Sequence, residues 1–101
     1  MSPGYSLTKA AASDLYDIGR YTLKNWGKEQ FKQYMAQFQS CFEQLALKPF
    51  IGKDCGTIRE GYRKMPVGAH IVFYRLKNDS GIEIIRILHS RMDFEARLAS
   101  D

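Results

Sequence analysis

From Lys9 to Trp26, Leu15, Ile18, Thr22 and Trp26 recur at three- and four-residue spacing, which predicts an amphipathic helix. Thr8 precedes it with an oxygen able to cap the first turn, Asp14 and Asp17 lie toward its positive end, and Gly27 stops it. Ahead of this helix, Tyr5–Leu7 reads as a short strand. A second helix is predicted over residues 28–48, with the stripe Phe31, Tyr34, Met35, Phe38, Cys41, Phe42 and Leu45 on one face. One glycine between two such helices implies an antiparallel αα-hairpin. Phenylalanine and methionine at this spacing are core, and Cys41 among them is a small buried hydrophobe.

Residues 49–57 form a turn-rich connection containing Pro49, Gly52, Asp54 and Gly56. Cys55 lies there as a passive loop cysteine, or alternatively as an exposed thiol. Beyond Ile58 the period drops to two. Residues 62–67, 69–77 and 82–89 read as strands, separated by Gly68 and by a turn over 78–81, which makes a β-meander. Pro66 pushes the first of them toward a sheet edge or a bulge. Residues 92–98 have the pattern of one or two helical turns. The fold expected is α+β, in the order β-α-α-β-β-β. An αα-hairpin packs on an antiparallel sheet, a short helical segment ends the chain, and residues 1–101 form one domain.

The last strand is apolar on both sides, with Ile85 and Ile87 on one and Ile82, Ile84 and Leu88 on the other. The strand before it behaves alike, with Ile71 and Phe73 against Val72, Tyr74 and Leu76. Such strands require cover on both faces, and one hairpin covers only one. A packed C-terminal turn, a homodimer or a partner chain can supply the second cover. The shortness of the C-terminal segment favours a partner lying in a groove.

Composition narrows the function classes. The 101 residues are 45% hydrophobic and 26% charged, which excludes a disordered chain, and no apolar run approaches the ~20 residues of a membrane span. The first ten residues lack the basic and apolar regions of a secretory signal, so a cytoplasmic protein is expected. Two cysteines are too few for a disulfide scaffold or a zinc site, and neither metal nor cofactor is expected. The net charge of +4 resides entirely in residues 57–91, through Arg59, Arg63, Lys64, Arg75, Lys77, Arg86 and Arg91. A solvated basic sheet face accounts for this, and so does a footprint for an acidic protein or nucleic acid. Arg63, Arg75 and Arg86, on adjacent strands, would then form one basic strip. Without a recognition helix or a stacking platform, direct DNA binding ranks behind a protein partner.

Three runs carry a resemblance. They are Ile58-Arg59-Glu60-Gly61-Tyr62-Arg63, then Gly68-Ala69-His70-Ile71-Val72-Phe73-Tyr74-Arg75, then Ile84-Ile85-Arg86-Ile87-Leu88-His89-Ser90-Arg91-Met92-Asp93. Together with Ala12, Asp14, Leu15, Ile18, Tyr21, Thr22, Trp26 and Gly27 in the helical half, they resemble the ParE toxins of the RelE/ParE superfamily of type II toxin–antitoxin modules. The resemblance implies a toxin that poisons DNA gyrase and blocks replication without catalysing a reaction, with DNA contact left to its antitoxin. It also implies that the cognate antitoxin fills a groove on the sheet, where Tyr74, Ile84 and Leu88 would be apolar contacts and Arg75 and Arg86 would take carboxylates. Arg63, Arg91, Met92 and Asp93 are the positions expected to meet the target, with Arg91 and Asp93 pairing to pin the C-terminal turn.

The rival from the same superfamily is a RelE-like, ribosome-dependent mRNA endoribonuclease. Cleaving a phosphodiester without metal needs a base, an acid and cations, and His89, Arg86 and Arg63 would carry that chemistry, with His70 as a weaker candidate. Against it, residues 92–101 contain neither tyrosine nor histidine, and Phe94 has no proton to exchange.

Overall fold

In the computed structural model, which describes residues 4–78, 81–92 and 94–99 (the side chains of Glu95 and Ala99 excepted), Thr8 turns the chain from strand into helix. Its hydroxyl accepts the Ala11 N–H at 3.0 Å, satisfying one of the free donors of the first turn. The elements are β1 (Tyr5–Leu7), α1 (Lys9–Trp26), α2 (Lys28–Leu47), β2 (Lys53–Asp54), β3 (Arg63–Val67), β4 (His70–Leu76), β5 (Ile82–His89) and α3 (Phe94–Ala99). Gly27, at φ +91°, makes the reversal between the helices in a single residue. Phe31, large for a position near the tip of a hairpin, fits because α1 offers it Gly19. A Cβ there would stand 3.0 Å from the Phe31 ring.

The sheet order is β1-β5-β4-β3-β2. The β3–β4–β5 meander is antiparallel, as its short loops require. The β3–β4 turn has positive φ only at Gly68, the pattern of a type II′ turn. Two features add to the expected plan. β1 joins β5 in parallel, and β2 is a two-residue strand on the outer edge of β3. Two residues carry no readable period, which is why residues 49–57 read as loop.

Alternation on β5 breaks at one point. Phe73 pairs with Arg86 and Tyr74 with Ile84, so Ile85 is the extra residue of a β-bulge. The break redistributes the apolar side chains. Ile82, Ile84 and Ile87 join Val72, Tyr74, Ile18, Phe38, Phe42 and Leu45 in the core under the hairpin. Ile85 and Leu88 join Phe73 in a second cluster on the other face, roofed by Leu98 of α3 and by Cys55 and Tyr62 of the β2–β3 loop. The second face is therefore covered by the chain itself. The expectation that the C-terminal segment alone is too short was correct about its length but omitted the loop that shares the work.

β1 reaches only as far as Ile84 along β5. Beyond it, the polar edge of β5 is closed by α1. The Thr8 N–H donates to the Ile84 carbonyl at 3.0 Å and the Thr8 hydroxyl to the Ile85 carbonyl at 2.8 Å. One turn and a half later, Asp14 accepts the Ile87 N–H at 2.9 Å and the Arg86 guanidinium through both carboxylate oxygens, at 2.8 and 3.0 Å. Both partners of that ion pair are about five-sixths buried, where a planar bidentate geometry counts most.

Removing the Asp14 carboxylate leaves the Ile87 N–H and the Arg86 cation without this acceptor in a largely dry site. Asp14→Ala is expected to lower unfolding stability by roughly 3 kcal/mol, read as the midpoint of a urea titration. Asp17→Ala, one turn on at an exposed position, is expected to change it by less than about 0.5 kcal/mol.

Candidate functional site

The two helices splay from the sheet near the hairpin tip and leave a cleft of about 980 Å³. Its rim carries Tyr21 and Trp26 of α1, both more than half exposed, and its floor carries Tyr34 of α2 with His70 and His89. The polar groups of the floor form a connected set. The Tyr34 hydroxyl lies 2.9 Å from the Val67 carbonyl, 2.6 Å from His70 Nδ1 and 3.2 Å from the Ala69 N–H. A hydroxyl has one proton to give, and the Val67 carbonyl can only accept it. His70 must then hold its own proton on Nδ1 and donate it to Tyr34, a tautomer assigned by this accounting. The His89 ring stands edge-on to His70 with centroids 5.3 Å apart. Its Nδ1 accepts the Arg91 N–H at 3.1 Å, which places its proton on Nε2.

Burial holds the Tyr34 hydroxyl above the usual phenol range, against hydrogen bonds from the backbone of Ala69 and His70. It pushes His70 below its ordinary 6.5, helped by repulsion from His89 and opposed by Asp14. Both shifts favour the neutral forms of Tyr34 and His70.

The basic residues do not make a single strip. Arg63 turns toward the α2–β2 loop, donating to the carbonyls of Phe50 at 3.2 Å and Gly52 at 2.6 Å, with Asp54 at 3.9 Å. Arg75 pairs with Glu83 across the β4–β5 ladder at 2.9 Å and stays half exposed. Arg86 is held by Asp14, and Arg59 donates to the Leu98 carbonyl at 3.2 Å. The three residues a nuclease would use are likewise dispersed. Arg63 sits beside Tyr74 and His89 beside His70, so they are four β4 residues apart along the sheet, about 13 Å. In its present tautomer, His89 carries a proton on the nitrogen left free and cannot accept one there.

The apolar contacts expected for an antitoxin need correction. Tyr74 and Ile84 are 0% exposed and Leu88 is 2% exposed, so all three fill the chain's own cores and present no surface to a partner. The alternation of β5, read without its bulge, is what made them look available. Among the residues expected to meet the target, Arg91 and Met92 are exposed on the turn after β5, which the Met92 N–H closes on the His89 carbonyl at 2.9 Å. Asp93, and with it the expected Arg91–Asp93 pair, lies outside the described residues. Cys55 is buried rather than exposed, and burial raises its thiol above the usual range. Cys41 is pushed up to about 11 by the same cause. Neither thiol is activated. No group of three or more potential metal ligands occurs among the described residues. None of their helices is long and apolar enough to cross a membrane. Tyr34 was hidden in the sequence because it sits on a stripe that otherwise reads as core, and only its hydroxyl betrays the polar floor.

The chain matches the family model for the ParE toxin of the type II toxin–antitoxin system, parDE, over residues 5–94. The chain belongs to the ParE toxin family. It is 40% identical to Toxin ParE1 of Mycobacterium tuberculosis over 98 residues, covering 97% of this chain and 100% of that one. Toxin ParE1 of Caulobacter vibrioides is 39% identical over 94 residues, 93% and 96% of the two chains. Toxin ParE of Escherichia coli is 34% identical over 95 residues, 94% and 92% of the two. A solved chain described as the chromosomal ParDE TA system from P. aeruginosa has the same fold. Its TM-score is 0.72 at 21% identity, over 87% of this chain and 98% of that one.

The floor of this ParE cleft gives a pH test. His70 binds fewer protons folded than unfolded between its lowered value and 6.5. Its contribution to stability is therefore complete above 6.5 and is lost as pH falls through the lower folded value. The urea midpoint is expected to drop as pH falls below about 6.5, and to drop less in His70→Gln.

Proposed function

We propose that this ParE family member poisons DNA gyrase in the cytoplasm without catalysing a reaction of its own, and that a cognate antitoxin neutralises it by occupying the hairpin cleft. The observation that carries the reading is the commitment of the polar groups. Arg63, Arg86 and Arg59 hold a loop, a strand edge and the C-terminal helix, while His89 lies far from Arg63 along the sheet. A phosphodiester transition state needs base, acid and cation within a few ångströms of one phosphate. These groups are arranged to support a surface instead.

For the antitoxin, the support is a large cleft with exposed aromatics at its rim, which is the anatomy of a protein-binding groove. The solved neighbour of the same fold is described as part of a ParDE toxin–antitoxin system. Arg75 is the member of the expected antitoxin set with open surface left for a carboxylate, whereas Arg86 contributes by holding the strand edge. Arg91 and Met92 remain proposed target contacts. DNA contact by the module is assigned to the antitoxin.

Purified gyrase is expected to lose supercoiling activity when the toxin is added and to regain it with antitoxin. His70→Gln and His89→Gln are expected to inhibit as wild type does. Full gyrase activity in the presence of toxin, alongside cleavage of ribosome-bound mRNA, would make the nuclease reading the correct one. Tyr21→Ala and Trp26→Ala, at exposed positions, are each expected to weaken antitoxin binding about 10- to 30-fold by calorimetry with the fold intact.

A further inference from the structure

The loop joining α2 to β2 is built more tightly than its position requires. Tyr74, fully buried in the main core, sends its hydroxyl to the loop, where it donates to the Pro49 carbonyl at 2.6 Å and accepts the Gly52 N–H at 3.0 Å. Arg63 donates to the next carbonyls, and its guanidinium lies 5.2 Å from the Phe50 ring. The Arg63 Nε is buried with no hydrogen-bond partner, an arrangement folded proteins usually avoid. Gly52 has no room for a side chain, because a Cβ would collide with the Tyr74 hydroxyl and approach the Lys64 carbonyl to 2.8 Å.

All this rigidity displays apolar side chains to water. Leu47 is 83% exposed, Phe50 70% and Ile51 45%. Nothing in the core needs them there. An apolar anchor on a pinned loop loses little conformational entropy on docking, which is the property of a binding hot spot. The chain around the loop is basic, with Lys48, Lys53 and Arg63 against Asp54, while Lys64 reaches over the Phe94 ring on the other face of the sheet. That charge selects an acidic partner. The patch lies at the end of α2 opposite the hairpin tip, ~30 Å along the helix from Trp26 at the rim of the cleft. A partner seated at that rim leaves it open.

We infer that Leu47, Phe50 and Ile51, framed by Lys48, Lys53 and Arg63, dock the toxin's target protein through an acidic surface that bears an apolar residue. This rests on the toxin reading above and adds a location for target binding distinct from the antitoxin cleft. It also gives Arg63 its part in the target site, as a positioning residue that holds Phe50.

The test uses full-length toxin expressed from an inducible promoter, with Phe50→Asp and Lys53→Glu at exposed positions and Phe50→Leu as the conservative change. Surviving colonies are expected to rise about 100-fold or more for the first two and to stay near wild type for Phe50→Leu. Purified Phe50→Asp and Lys53→Glu are expected to bind antitoxin within about threefold of wild type, which also shows that they fold. Growth arrest that survives both changes overturns the proposal, as does a wild type that arrests nothing. A loss of antitoxin affinity in variants with wild-type melting curves also overturns it, because the occupant is then the antitoxin. If wild-type toxin leaves gyrase active yet arrest still depends on Phe50, the gyrase reading falls and the docking patch stands with another target.

Discussion

The whole arrangement depends on how the exposed flank of β5 is satisfied. A central strand must have its backbone groups paired on both sides, and β1 supplies pairing along only three residues. Thr8 and Asp14 supply the rest from a helix rather than from a strand. Because Thr8 caps α1 and Asp14 stands on it, closing the strand edge also sets where the hairpin lies over the sheet. The cleft at the tip then follows from geometry. α1 is anchored toward its N-terminal end against β5, and the cleft is lined toward the hairpin tip by Trp26 and Gln30.

Much of this could be read from the chain. The Thr8 cap, the two helices, the single-glycine hairpin and the three long strands follow from spacing and turn chemistry. What could not be read were features that depend on a few residues or on distant partners. The bulge at Ile85 leaves no composition mark, yet it moves side chains between faces and turns an apparent groove into a second small core. β1 reads as a strand but not as a parallel one, since its partner lies nearly eighty residues away.

The candidate site was legible in kind but not in detail. Clustering of charge in residues 57–91 suggested an acidic partner, but sequence position says nothing about what each guanidinium touches. Arg86 closes a strand edge, Arg63 grips a loop and Arg75 spans a ladder, so a surplus that looks like one electrostatic surface is divided among local tasks. The histidines illustrate the same point. His89, and more weakly His70, read as proton-transfer candidates in the sequence, whereas burial and repulsion from His89 push His70 toward its neutral form and a backbone amide occupies His89 Nδ1.

Pro66 has a wider consequence. It sits on β3 beyond the reach of β2, where the edge would otherwise offer a donor to any passing strand, and it has none to offer. β1 and β2 end the sheet on either side with three and two residues, and α1 seals what is left of β5. Among the described residues no long, unblunted ladder is open to a second chain, so this sheet resists growing by strand addition into aggregates. The same blunting directs recognition to side chains. Proteins that meet this one must fit its shape and charge, because the backbone gives them almost nothing to hold.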